Sequence, residues 1–291
     1  MNKKFTALAM AALLIQMDTS VFIQAMEISA ETYASANESH QWKGKKVAFL
    51  GDSITDRQRI GTQKCYWEYL TEMLGIEAFS YGINGNQMDG LLKQAQLLLQ
   101  EHGQETDAII VFAGTNDFNA GVPIGKWFEE VKRDAPMPNG KKAERTYREM
   151  STDTDTFCGR INRLMDYLKT NFSTQQIILL TPLHRGFAQF GNNNVQPEEA
   201  FTNSKGLFIS DYVQTIKEAG NVWAVPVIDL NSLSGLYPMN DSHVPYFHNG
   251  ETDRLHPNAE GHKRMAKTLM YQMMALPSSC LLYTSPSPRD A

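Results

Sequence analysis

The chain reads as a three-layer α/β/α domain built on a central, mainly parallel sheet of about five strands. Short apolar runs recur along it, amphipathic helical stretches separate them, and several of the runs end on glycine. Apolar runs without polar alternation fit strands buried on both faces, and their alternation with helices fits parallel crossovers. In such a sheet the ligand site lies at the carboxyl ends of the strands.

The first run is Val47-Ala48-Phe49-Leu50, ending at Gly51, so the carboxyl edge of the first strand carries Asp52 and Ser53. A helical stretch follows with Tyr66, Tyr69, Leu70, Met73 and Leu74 and closes at Gly75. Residues 76–81 read as a strand, 88–102 as a helix and 108–113 as a strand ending in Gly114. Residues 157–172 and 207–219 continue as helices, 177–181 and 222–230 as strands, and 258–274 as the closing helix. Two stretches break the plan. Residues 118–154 are rich in Lys, Arg and Glu, and residues 232–251 mix Tyr, Phe and His with Pro and Gly. Both read as long loops over the carboxyl edge, and long insertions in compact domains are usually functional or disordered.

The 291 residues are 42% hydrophobic and 20% charged, which fits one globular domain over residues 45–279 with a sizeable core. A net charge of −5 gives no basic footprint for nucleic acid. Lys3 and Lys4 precede an apolar run over residues 5–15, the build of a secretory signal peptide over residues 1–25. Residues 26–44 then read as a polar leader, and the protein is expected to be exported to the periplasm or beyond the cell. The apolar run is too short to span a bilayer, so no stable membrane insertion is expected. Residues 280–291 include Cys-Leu-Leu-Tyr-Thr-Ser-Pro-Ser-Pro-Arg-Asp, which resembles the in-frame translation of a sequencing adapter and is set aside. That leaves Cys65 and Cys158, which read as buried free thiols in helix-like stretches.

Serine is a poor nucleophile at neutral pH, so acyl transfer needs a base on its hydroxyl and a carboxylate to orient that base. Ser53 follows the first strand, and Asp253 and His256 precede the last helix. Three-residue spacing in a tight turn can set that carboxylate against the imidazole, with Pro257 opening the helix behind it. Two further strand ends offer donors for a developing oxyanion: Gly82, where the backbone can approach a substrate closely, and Asn116, with its side-chain amide.

The blocks Gly51-Asp52-Ser53-Ile54-Thr55, Tyr81-Gly82-Ile83-Asn84-Gly85, Gly114-Thr115-Asn116-Asp117 and Asp253-Arg254-Leu255-His256-Pro257-Asn258 resemble the four ordered blocks of SGNH (GDSL-type) hydrolases. The resemblance runs from Lys45 to about Met274. It implies a flavodoxin-like sheet and a serine esterase with Ser53 as nucleophile, His256 as base and Asp253 as its orienting group. The oxyanion donors it implies are Ser53, Gly82 and Asn116. No Gly-x-Ser-x-Gly elbow is present, which disfavours the ordinary α/β-hydrolase fold.

Plainer readings compete for the same residues. Ser53 can cap a following helix. Asp52 and Asp117 suit loop-holding hydrogen bonds better than catalysis. His262 reads as a partly exposed helix residue, and His184, His243 and His248 as loop residues at the surface. Asp52, Asp117, Asp253 and His256 can be imagined around a hydrolytic metal, but no His-x-His or His-Glu-x-x-His spacing supports one, so neither metal nor cofactor is expected. A carbohydrate-binding module without catalysis conflicts with the intact Ser, His and Asp.

The expected substrate is a small acyl ester, such as an acetyl group on a carbohydrate. A lipid acyl ester or thioester is the alternative. The two long loops are expected to rim the pocket, with Trp127, Tyr237, Tyr246 and Phe247 offering flat faces to a sugar ring.

Overall fold

A computed structural model describes residues 40–278. The expected signal peptide, most of the leader and the adapter-like tail therefore lie outside the described residues. The strand β1 (Lys46–Gly51) is followed by helix α1 (Tyr66–Leu74), β2 (Glu77–Ser80), α2 (Leu91–His102), β3 (Ala108–Phe112) and the short α3 (Thr115–Asn119). An antiparallel pair, β4 (Phe128–Pro136) and β5 (Lys142–Met150), precedes α4 (Phe157–Asn171) and β6 (Gln176–Leu180). Then come β7 (Ala188–Gln189), β8 (Val195–Gln196), α5 (Ile209–Trp223), β9 (Val227–Ile228) and α6 (Leu230–Leu233). The chain closes with β10 (Phe247–Asn249), β11 (Asp253–Pro257) and α7 (Ala259–Met274).

The central sheet has five strands in the order β2-β1-β3-β6-β9, every pair parallel. Its winding reverses between β1 and β3, which leaves a crevice at their carboxyl ends. Side chains alternate across the sheet. Ala48, Leu50, Ile109, Val111, Ile177 and Leu179 join the core formed with α2, α4 and α5. On the other face Tyr66 of α1 meets Phe49 and Phe112 edge-on, and its ring stacks on His262 of α7. Each fully buried Leu, Ile or Phe contributes about 1.5–3 kcal/mol to folding. The helices thus hold the sheet from both sides, as the apolar runs required.

Four expectations need correction. The strand expected over 222–230 shrinks to β9, because α5 runs on to Trp223 and stops only at Ala224 in a left-handed conformation. The last helix begins after Asn258, whose side chain accepts the Glu260 and Gly261 N–H groups, so Pro257 ends a strand and does not open the helix. No helix follows Ser53 directly, since α1 starts at Tyr66, and the capping reading of that serine falls away. His262 is fully buried, where partial exposure was expected.

The buried His262 accepts a hydrogen bond from the Tyr66 N–H at its Nδ1, 3.1 Å away, and so serves as a pin between α7 and α1. Burial, reinforced by the nearby His256, pushes its pKa down to about 3. The unfolded chain therefore takes up this proton first as pH falls below about 6.5. Its contribution to stability is complete above that value and is lost progressively toward pH 3. Denaturant titrations at pH 7 and pH 4.5 should show a loss of about 2 kcal/mol from this group. His262→Gln should flatten that part of the pH dependence, and an unchanged slope would assign the acid sensitivity to other groups.

Both thiols are buried and free, and burial pushes each up to about 12. They pack as small apolar groups. No helix among the described residues is long and apolar enough to cross a membrane.

Candidate active site

The turn that leaves β1 is fixed from several sides. The Gln94 amide brackets Gly51, accepting from its N–H and donating to its carbonyl, both at 2.8 Å. Beyond Ser53, the Thr55 carbonyl accepts from the Ser80 hydroxyl at 2.6 Å and the Trp67 indole at 3.0 Å. Asp52 accepts the Ile54 N–H at 3.1 Å, so it holds the turn as expected. Burial raises its pKa to about 6, against that hydrogen bond. Gly82 runs alongside the same turn. A Cβ there would lie 2.5 Å from the Thr55 carbonyl carbon, so only glycine permits this approach.

The Ser53 hydroxyl lies 2.9 Å from His256 Nε2, and His256 Nδ1 lies 3.0 Å from Asp253 Oδ2. These three residues, 203 positions apart at the extremes, are 5%, 4% and 3% exposed respectively, so the contacts are shielded from water. Asp253 Oδ1 also accepts the backbone N–H groups of Leu255 and His256. Burial pushes the Asp253 carboxyl up, but the hydrogen bonds and charge of His256, joined by His248, outweigh it and hold the pKa below the ordinary value. The carboxylate is therefore ionised at neutral pH and fixes the His256 tautomer with the proton on Nδ1.

His248 was expected at the surface, and it is about half exposed, but its Nδ1 lies 2.9 Å from Asp253 Oδ2. The sequence reading missed this contact. It arises because β10 and β11 form a hairpin in which Asn249 faces Asp253, bringing the preceding residue onto the carboxylate. β11 is the second strand of a small antiparallel sheet, β10-β11-β7-β8, that stands at the edge of the site. Asp253 and His256 thus sit on a strand whose ladder fixes them, not in an isolated turn.

A cavity of about 220 Å³ opens over Ser53 and His256. Three apolar residues, Ile60, Phe190 and Leu255, share its walls with four carboxamides, Asn84, Asn116, Asn194 and Gln196. Asn116 stands at the start of α3, and its amide donates to the Asn86 carbonyl at 2.9 Å. Asp117 beside it accepts from the Met88 N–H and the Arg160 guanidinium. Burial raises the Asp117 pKa to about 6 despite those bonds. A second cavity of about 560 Å³ lies beyond Gly61 and His248, but neither Ser53 nor His256 lines it.

One buried charge escaped the sequence reading. Arg185 is 1% exposed and donates to the carbonyl and hydroxyl of Thr115 and to the Gln196 side chain. It ties α3, which carries Asn116, to β8, which carries Gln196, and both of these side chains line the cavity. Burial lowers its pKa to about 10, which leaves it charged at neutral pH.

The expected aromatic rim is not at this cavity. Phe247 is buried, and Trp127 packs against the core and donates from its indole to Glu218 on α5. Tyr246 is half-buried under the Arg264 guanidinium, and Tyr237 is exposed with its ring against His184. Packing onto the core and a helix accounts for Trp127 and Tyr246, and Phe247 is buried in the β10–β11 hairpin. The aromatic at the mouth is Phe190, in the β7–β8 turn, with its ring centroid 5.4 Å from that of His256. Residues 118–154 do not line the cavity either, and much of that stretch is the β4–β5 pair. Among the described residues no three His, Cys, Asp or Glu side chains converge as a metal site.

The fold agrees with what comparison finds. Residues 49–264 match the GDSL-like lipase/acylhydrolase family. A protein of known structure from Lactobacillus plantarum superposes with a TM-score of 0.62 at 24% identity, covering 80% of this chain and 98% of its own. A possible lipase from Chitinophaga pinensis does so at 0.58 and 20% identity, covering 79% and 99%. A member of the lipolytic G-D-S-L family from Veillonella parvula gives 0.52 at 15% identity, covering 80% and 100%. No curated protein matches the chain. The family match spans most of the five-stranded sheet and all four motif blocks, so this chain belongs to the GDSL-like lipase/acylhydrolase family and is a carboxylic ester hydrolase.

Proposed function

We propose that the enzyme hydrolyses small acyl esters, with acetyl on a carbohydrate as the preferred class, through an acyl-enzyme on Ser53. The hydrogen-bonded chain from Ser53 through His256 to Asp253 is the observation that carries this reading. In the first half-reaction the Ser53 oxygen attacks the ester carbonyl while His256 Nε2 takes its proton. The Ser53 and Gly82 N–H groups and the Asn116 amide receive the oxyanion, and His256 returns the proton to the leaving alcohol. Water then repeats the sequence on the acyl-enzyme and frees the acid. Asp253 stays ionised throughout and stabilises the imidazolium.

Two features support the substrate class. The cavity is small, which favours a short acyl group, and its four carboxamides offer donors and acceptors to a hydroxyl-bearing alcohol. Phe190 adds one flat apolar face at the mouth. The basic pair and apolar run at the N-terminus support export as part of the same proposal.

A chain-length series of p-nitrophenyl esters tests the acyl preference. The kcat/KM for acetate should exceed that for octanoate by at least about tenfold, since the cavity must discriminate against several methylenes. A peracetylated sugar should release acetate at a rate comparable to the synthetic acetate ester. Preference for octanoate would overturn the reading in favour of a lipid acyl ester.

A further inference from the structure

Among the described residues, the strands β4 and β5 form a two-stranded sheet that no other strand joins, which leaves an unpaired edge on each side. A lone ribbon of this kind is marginal in water, and each open edge is a template for another strand. Its own register places like charges opposite one another: Glu129 faces Glu149, Arg133 faces Arg145 and Asp134 faces Glu144. Such pairs destabilise a ladder. Ion pairs of Arg133 with Glu149, Lys126 with Glu129 and Arg148 with Glu130 offset this in part, but all are exposed and individually weak.

The sequence of β4 changes sign about its middle. Glu129 and Glu130 precede Val131, and Lys132 and Arg133 follow it. Antiparallel pairing of this strand with the same strand of a second copy, on a two-fold axis at Val131, sets Glu130 opposite Lys132 and Glu129 opposite Arg133. Each pairing occurs twice. No other centre on β4 gives both pairings, and β5 gives at most one complementary type about any centre.

The same axis organises one face of the enlarged sheet. Val131 faces Tyr147 within the hairpin, so the two copies contribute a continuous apolar row, Tyr147–Val131 running on into Val131–Tyr147. On either side of that row the Glu149–Glu129 pair of one copy meets the Arg133–Arg145 pair of the other. Two of the three like-charge pairs that strain the single hairpin, Glu129–Glu149 and Arg133–Arg145, therefore become opposite-charge rows in the dimer. From these features we infer that the chain forms a two-fold homodimer through β4, giving a four-stranded antiparallel sheet in the order β5-β4-β4-β5. The residues lining the Ser53 cavity lie outside this sheet, and each copy keeps its own site.

Sedimentation velocity on the full chain tests this. The protein should sediment as a dimer, and dissociation should increase as salt is raised from about 0.05 to about 0.5 M, because exposed charge pairs are screened. Glu129→Lys with Glu130→Lys makes residues 129–133 carry only basic charges, and Lys132→Glu with Arg133→Glu makes them carry only acidic ones. Each variant alone should be monomeric while turning over p-nitrophenyl acetate at the rate of the unaltered chain, which reports an intact fold. An equimolar mixture of the two should restore the dimer. A monomeric unaltered chain, variants that remain dimeric, or a mixture that stays monomeric would each overturn the proposal, the last two by excluding β4 charge pairing as the basis of association.

Discussion

Ser53→Ala is expected to lower kcat for p-nitrophenyl acetate by about 10⁶-fold, the scale seen when a nucleophilic serine is removed from a triad that acts as a unit. The melting temperature should change little, because among the described residues the hydroxyl's one hydrogen bond is to His256 Nε2. A fluorophosphonate probe should label the unaltered chain at Ser53 and leave the variant unlabelled. Labelling at another serine, or a loss below about tenfold, would remove Ser53 from the chemistry. His256→Ala in the same assay should cost about as much as Ser53→Ala, and the double variant no more than either single one, since the two residues serve one step.

Asp253→Asn is expected to lower kcat by about 10⁴-fold while leaving KM within a few-fold. An amide at this position can present N–H to His256 Nδ1 and favour the tautomer whose Nε2 carries the proton. That proton would then point at Ser53, and the base would be unable to accept. The effect on stability has a definite sign. The carboxyl is held below its ordinary pKa in the folded protein, so its contribution is present above the unfolded value and lost as pH falls through the folded one. Unfolding of the unaltered chain should therefore ease in acid more steeply than that of the Asn variant. Removing His248 alone gives the contrast: both imidazoles reach Asp253 Oδ2, but Asp253 keeps its bond to His256 when His248 is lost, so His248→Ala should leave turnover within about tenfold of the unaltered chain. A loss as deep as that of Asp253→Asn would move His248 into the essential set.

Much of the fold was legible because the central strands are buried on both faces. Val47 to Leu50 and Ile109 to Val111 can satisfy their surroundings only with apolar side chains, so the strand pattern is written directly in the residue types. The Ser53, Gly82 and Asn116 blocks were legible for a related reason. Turns at strand ends admit few residue types, as the 2.5 Å approach at Gly82 illustrates. The β4–β5 pair carried no such pattern. It is exposed on both faces along most of its length, so charged residues occupy successive positions and the period of two that marks a strand is missing. The aromatic rim was misplaced because an aromatic residue in a polar stretch reads alike whether it faces a pocket or a helix.

The sequence by itself therefore determined the parallel sheet, the order of its helices and the blocks that supply the candidate site, since each follows from local burial or a local residue pattern. Tertiary structure alone decided what surrounds them. Phe190 meets His256 only through the small second sheet, and Arg185 braces the cavity wall only because β8 returns to α3. His262 is buried only because α7 lies against α1. Each of these depends on segments distant in sequence arriving side by side. A residue's own neighbours in the chain hold no record of such a meeting, because the burial and hydrogen bonds that define its role come from the far segment.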